Sequence, residues 1–146
     1  MDVVVRCAES RDLPGLLALN KEFNGISSTV KSMEESLRSS DEMVFVAVFD
    51  GEVIAFACGI FWQSMFWPHG LLGGITELFV KSKHQRKGVA TKLIKALENG
   101  LRSRNVTKVI LVTTASNTAS RSFYESQGYC CGHDSEIEIT YEKSLN

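Results

Sequence analysis

The sequence has no surplus of charge: 16 Lys and Arg face 17 Asp and Glu, for a formal net charge of −1. A strong nucleic-acid footprint needs a basic excess or a basic stripe. Nucleic acid is therefore not an expected partner, although a local basic pocket for phosphates stays open. There is also no uncharged run of the ~20 apolar residues that a bilayer span requires. The longest apolar-looking region, 53–65, is interrupted by Gly59, Gln63 and Ser64. The opening MDVVVRCAESRD lacks a cationic start followed by an apolar run, so no signal peptide is read. No membrane partner and a cytoplasmic location are expected. Proline is scarce, at 14 and 68 only, and no repeat, low-complexity tract or Pro/Gly/Ser linker divides the chain. A single domain over 1–146 is expected. The four cysteines, Cys7, Cys58, Cys130 and Cys131, show no zinc-site spacing, and an adjacent pair would serve one tetrahedral site poorly. No metal is expected, and the thiols read as buried or half-buried small hydrophobes. Neither a G-x-G-x-x-G fingerprint nor a P-loop is present.

What is there suits an ordinary globular protein: 146 residues, 44% hydrophobic and 23% charged, enough to bury a core. Val3 to Val5 reads as a short strand. The run from Ser10 to Pro14 looks like a helix opening, with a small polar cap, an acid in the first turn and proline where a missing N–H costs little. Leu13, Leu16, Leu17 and Leu19 follow at helical spacing, and Gly25 ends the stripe. A shorter helix is predicted over 32–38. Strands at 43–49 and 53–62 flank Asp50-Gly51, a strong hairpin signal. The aromatic loop 64–70 leads to a strand at 75–80. Val89, Leu93, Ile94, Leu97 and Leu101 mark one face of a helix over 89–102. The run 109–112 has the pattern of a strand buried on both faces. A brief helix at 118–126, capped by Gly128, and strands at 129–131 and 136–141 complete the chain. The order β-α-α-β-β-β-α-β-α-β-β predicts an α/β fold with three layers: a mixed, mostly antiparallel sheet with helices on both faces.

The segment from Val80 to Thr91 carries the most chemistry. It joins a strand to the start of an amphipathic helix, where unpaired amides and a partial positive charge favour a diphosphate. Gly88 and Ala90 let the backbone come close to a ligand, and Arg86 and Lys87 add formal charge. Lys81, Lys83 or Arg86 could reach a further phosphate. Taken alone, the string Gln85-x-x-Gly88-x-Ala90 is equally compatible with an exposed basic turn capping a surface helix.

Three segments together carry a more specific signal: Leu78-Phe79-Val80 with Gln85, Gly88 and Ala90; Asn117 followed by 123–129, FYESQGY; and Arg6-x-Ala8 before Asp12-Leu13-Pro14. In these the chain resembles the GCN5-related N-acetyltransferase superfamily over essentially its whole length, departing only in Ala90 for glycine and Ser82 for a frequent proline. The resemblance implies acetyl-coenzyme A as cosubstrate, lying between the strand ending at Val80 and the strand at 109–112. Its pantetheine would pair with backbone groups of Leu78, Phe79 and Val80 like an added strand. Its pyrophosphate would meet Gln85, Arg86, Lys87, Gly88, Val89, Ala90 and Thr91, and Asn117 would hydrogen-bond the pantetheine arm. Tyr124 matches the motif tyrosine that protonates the departing thiolate.

Acetyl transfer to an amine requires deprotonation of the ammonium, polarisation of the thioester carbonyl and protonation of the thiolate. Direct attack in a ternary complex needs no serine or cysteine nucleophile, and no nucleophile–His pairing is recognisable. Glu77 could take the amine proton, directly or through water, or be a solvated strand glutamate; His69 and His84 read better as surface histidines. Trp62 and Trp67, with Phe66 and His69, are expected to wall the acceptor site beside Glu77, though they could equally cover core or form a homodimer contact. Asp134, Glu136 and Glu138 could attract a polycation. The implied function is N-acetylation of a small-molecule primary amine, polyamine- or aminoglycoside-like. A protein N-terminal or lysine acetyltransferase and a non-catalytic acyl-CoA-binding module are the alternatives.

Overall fold

The computed structural model describes residues 2–145. Its strands are β1 Val4–Cys7, β2 Met43–Phe49, β3 Glu52–Trp62, β4 Leu71–Val80, β5 Val106–Thr114, β6 Cys130–Asp134 and β7 Glu138–Ser144. The helices are α1 Leu13–Asn24, α2 Val30–Ser39, α3 Val89–Ser103 and α4 Thr118–Ser126. Element types and order are those expected from the sequence, and the differences lie at the ends. Strand β4 starts at Leu71, four residues before Ile75, and β5 runs beyond 109–112 at both ends. Gly73, Gly74 and Lys108 break the apolar pattern there, but ladder pairing of main-chain groups does not depend on side-chain polarity.

The sheet has the order β1-β2-β3-β4-β5-β7-β6. The pairs β1–β2, β2–β3, β5–β7 and β6–β7 are antiparallel, and β4–β5 is parallel. This is the mixed, mostly antiparallel α/β class. The fold divides into two compact units. One takes the chain up to Ile60 together with Thr76–Gly100; the other takes Phe61–Ile75 together with the chain from Leu101 onward.

In the first unit, Asp50 and Gly51 both have positive φ (52° and 76°), as a two-residue hairpin turn requires. The start of α1 differs from the expected serine cap. Ser10 belongs to a 3-10 turn, and the Asp12 carboxylate closes it by accepting the Glu9 N–H at 2.7 Å and two bonds from Arg6 at 2.7 and 2.9 Å. A carboxylate outcompetes a hydroxyl here because it can satisfy a half-buried guanidinium as well as the amide. Pro14 sits in the first turn, and Gly25 ends α1 at φ 67°. The Thr29 hydroxyl caps α2 by accepting the Ser32 N–H at 3.1 Å.

Strand β2 divides the core of this unit by simple alternation. Val46 joins Leu13, Leu16 and Leu19 of α1 and Phe56 and Cys58 of β3 in one cluster. Its neighbours Met43 and Phe45 meet α3 instead: a Cβ on Gly100 would lie 2.6 Å from Met43 Cε and 3.1 Å from Phe45 Cζ. Helices therefore cover both faces of β2. The predicted stripe of α3 is buried throughout.

In the second unit, β4 pairs with β5 from Leu71↔Val106 to Gly74↔Ile110, and β5 pairs with β7 from Lys108↔Ser144 to Thr114↔Glu138. Two expectations are corrected. Strand β5 is not buried on both faces: Val109 and Leu111 are buried, but Val112 is 56% exposed, on the opposite side of the pleat from Leu111. Of the four thiols only Cys58 is buried. Cys7 lies on the terminal strand β1, and Cys130 and Cys131 lie on the terminal strand β6, whose five residues are all exposed. A strand with a neighbour on one side only has little to bury its side chains against.

Candidate active site

The first unit carries the phosphate-type turn. After β4 the Gln85 side chain folds back and donates from Nε2 to the Val80 carbonyl at 2.9 Å, tying the turn to the strand end. Arg86 at φ 60° and Gly88 at φ 84° then bend the backbone through the left-handed region. Such geometry is uncommon for a non-glycine residue. At the start of α3 the Lys92 N–H donates to the Gly88 carbonyl at 3.2 Å, and the first turn of a helix presents its amides at that end. A Cβ built on Gly88 meets nothing within 4 Å. The space on that side of Gly88 is open, and Gln85, Arg86, Lys87 and Gly88 are all exposed. The turn fits a diphosphate.

Two details of this turn were not foreseen. Lys81 forms an ion pair with Glu52, whose carboxyl is held below its usual range by that hydrogen bond and charge. His84 is not a surface histidine: it is 7% exposed, lies edge-on to Phe49 at 5.7 Å between ring centroids, and its Nδ1 has no hydrogen-bond partner.

The same unit holds a cleft of about 260 Å³. Leu13, Leu16 and Asn20 of α1 and Ser32, Met33, Ser36 and Leu37 of α2 form one side; Val44, Phe56, Cys58 and Glu77 line it from the strands, with Glu42 just before β2. Ser28, Ser32, Ser36 and Ser40, four residues apart, all reach it. Glu77 is half-buried. Burial and the nearby Glu42 carboxylate raise its pKa above the ordinary value, against a lowering hydrogen bond from Asn24. Glu42 in turn accepts the Thr76 hydroxyl at 3.3 Å. The Cys58 thiol is pushed up by burial and by the charges of Glu42 and Glu77. A thiol so held is not a nucleophile.

In the second unit, α4 presents the other motif residues. Asn117 caps it, its Oδ1 accepting the Ser120 N–H at 3.1 Å. That leaves the Asn117 amide NH₂ as the donor available to a ligand. Tyr124, in the last turn, is 8% exposed, with Tyr129 edge-on at 5.7 Å. Burial pushes its pKa up to about 12, so the phenol keeps its proton at neutral pH. Trp62 is 39% exposed. The Trp67 indole donates to Thr107 Oγ1 at 3.0 Å, lies under the Lys108 ammonium and packs edge-on to His69. Neither tryptophan lines the cleft, whereas Glu77 does. Among the described residues no group of three or more His, Cys, Asp or Glu side chains could hold a metal ion, and no helix is long and apolar enough to cross a membrane.

Glu42 and Asn24, which flank Glu77, were missed in the sequence. The four-residue serine spacing after Gly25 was the available signal that α2 turns a polar face to a cleft.

The chain is 35% identical over 60 residues to N-alpha-acetyltransferase 30 of Schizosaccharomyces pombe, covering 41% of this chain and 40% of that protein. It is 35% identical over 86 residues to an uncharacterized N-acetyltransferase of Methanocaldococcus jannaschii, covering 58% and 51%. The chain thus spans about half or less of the length of these relatives. The structure of PaiA N-acetyltransferase from Thermoplasma acidophilum in complex with coenzyme A superposes with a TM-score of 0.79 at 18% identity, covering 99% of each chain. The model of the acetyltransferase (GNAT) family matches residues 13–129, which include the turn, the cleft carboxylates and α4. The chain belongs to the acetyltransferase (GNAT) family.

Proposed function

We propose that the protein transfers the acetyl group of acetyl-coenzyme A to the primary amine of a small cationic molecule by direct attack. The observation that carries the reading is the cleft itself. It pairs a carboxylate of raised pKa, Glu77, with a second carboxylate, Glu42, and the one cysteine it contains is held as an unreactive thiol. A base is at hand and a covalent acetyl-enzyme through Cys58 is not favoured.

The amides at residues 86–91 and the charges of Arg86 and Lys87 hold the pyrophosphate, and Asn117 bonds the pantetheine through its NH₂. Leu78 to Val80, beyond the Leu71–Gly74 stretch that pairs with β5, lend backbone groups to the same arm, and a backbone N–H near Phe79 or Val80 polarises the thioester carbonyl. Glu77 takes one proton from the acceptor ammonium, directly or through water. The amine nitrogen attacks the thioester carbon, and the tetrahedral intermediate loses its remaining ammonium proton to water. Its C–S bond then breaks as Tyr124 gives its proton to the sulfur. The Glu77 carboxyl and the Tyr124 phenolate return to their starting states by exchange with water, so the products are an N-acetyl amide, coenzyme A as free thiol and one net proton. A carboxyl pKa above the ordinary range brings the base nearer neutral pH, where proton transfer is most effective.

A small cation suits a cleft of about 260 Å³ bearing two carboxylates and a row of hydroxyls. The likeness to an N-alpha-acetyltransferase favours a second reading, in which the acceptor is the N-terminal amine of a protein. A free-thiol release assay across aminoglycosides, polyamines, amino acids and short peptides separates the two. Turnover with small cationic amines supports the first, and turnover with peptides alone replaces it by the second. Binding of acetyl-coenzyme A without thiol release from any amine would make the chain a binding module.

A further inference from the structure

Helix α4 has nine residues, too few to hold its shape by itself, and Tyr124 is the one residue it buries. Its seating on the sheet must come from elsewhere. Arg121 and Glu125 stand four apart on one face of α4. Arg121 Nη1 donates to the Ala115 carbonyl at 3.1 Å, just ahead of the helix, and Arg121 Nε donates to the Tyr141 hydroxyl at 3.3 Å. The same hydroxyl donates to Glu125 Oε2 at 2.6 Å. Tyr141 is fully buried on β7, paired with Leu111 of β5 on one side and Cys131 of β6 on the other. Its ring lies 6.5 Å from that of Tyr124. One phenol on a strand flanked on both sides therefore ties two successive turns of the helix, with a cation on one side and a carboxylate on the other, the stronger kind of hydrogen bond. The hydrogen bond to Glu125 also raises the Tyr141 pKa, which keeps the donated proton in place.

We infer that Tyr141 is a positioning residue for acetyl transfer: the Arg121–Tyr141–Glu125 chain sets where the Tyr124 hydroxyl sits. The inference rests on the reading that Tyr124 protonates the thiolate. Positioning of this kind is worth much in rate, since a misplacement of about 1 Å can cost on the order of a hundredfold.

The test is a double-mutant cycle of Tyr141→Phe and Tyr124→Phe, followed by free-thiol release with acetyl-coenzyme A and the best acceptor of the amine panel. Tyr141→Phe removes one oxygen and leaves the ring to fill its space. It is expected to lower kcat by about tenfold or more, to leave KM for the acceptor within about twofold, and to have no further effect once Tyr124 is Phe. Glu125→Ala, at an exposed position, is the second variant: it is expected to lower kcat in the same direction and to be equally silent in the Tyr124→Phe background. A slow Tyr124→Phe enzyme beside Tyr141→Phe and Glu125→Ala enzymes of wild-type kcat would overturn the positioning role alone. So would equal losses in both backgrounds, or a loss confined to KM. A fully active Tyr124→Phe enzyme would remove the acid and the positioning role together.

Discussion

Gly88→Ala separates ligand binding from folding at the phosphate turn. Gly88 has φ 84°, so an L-residue there is strained, but its Cβ meets no protein atom within 4 Å. The fold should therefore lose only the backbone term, about 1 kcal/mol for a residue forced into the left-handed region. For a chain of 146 residues the entropy of unfolding is roughly 0.3 kcal/mol per kelvin, so Tm should fall by about 3 °C. The ligand meets a different situation. On the reading that the turn holds a diphosphate, the methyl group enters the open space beside Gly88 that the ligand would use, and losing one charge-assisted amide bond costs about 1.5–3 kcal/mol. That is roughly a ten- to hundredfold rise in the Kd of coenzyme A. Titration calorimetry measures the Kd and scanning calorimetry the Tm on the same preparations. A Tm lowered by a few degrees with an unchanged Kd would refute the argument that these amides hold the diphosphate.

Other sites make separate tests. Glu77→Gln should remove the acidic limb of the kcat profile, which in the wild type falls above the usual carboxylate range because burial and Glu42 raise the Glu77 pKa; an unchanged limb would assign the base elsewhere. Asp12 is 4% exposed, and its folded-state pKa is lowered by Arg6, so its contribution is whole above the unfolded value of 3.8 and is lost as pH falls through the folded value. Asp12→Asn should thus cost about 2 kcal/mol near neutral pH, with the gap to wild type closing in acid; urea titrations at both pH values would show it, and a constant gap would contradict it. Leu93→Ala on the fully buried stripe of α3 should cost about 2–5 kcal/mol by the same method, and a loss below 1 kcal/mol would mean the site collapses around the deletion.

Much of this molecule is legible without coordinates because it depends on neighbours in the chain. The Asp50-Gly51 hairpin, the Gly25 stop and the apolar stripe of α3 follow from backbone preference and helical period, which act over a few residues. The string from Leu78 to Ala90 is legible for the same reason: strand end, bend and helix start are consecutive. Where local pattern failed, the deciding influence was cover or charge from a distance. Val112 and the cysteines of β6 lie exposed because no described residue covers them, and His84, in the turn after β4, is buried beside Phe49 of β2.

The cleft beside Glu77 and the seating of α4 belong wholly to the tertiary structure. Glu42 meets Thr76 across 34 positions, Lys81 meets Glu52 across 29, and Tyr141 meets Glu125 across 16. No period of two or 3.6 links such residues. Sheet register and helix packing bring them together, and the desolvation and mutual repulsion that raise the Glu77 carboxyl exist only after they have done so. The sequence alone determines where strand end, bend and helix start follow one another; only the folded chain decides which carboxylate is desolvated beside another.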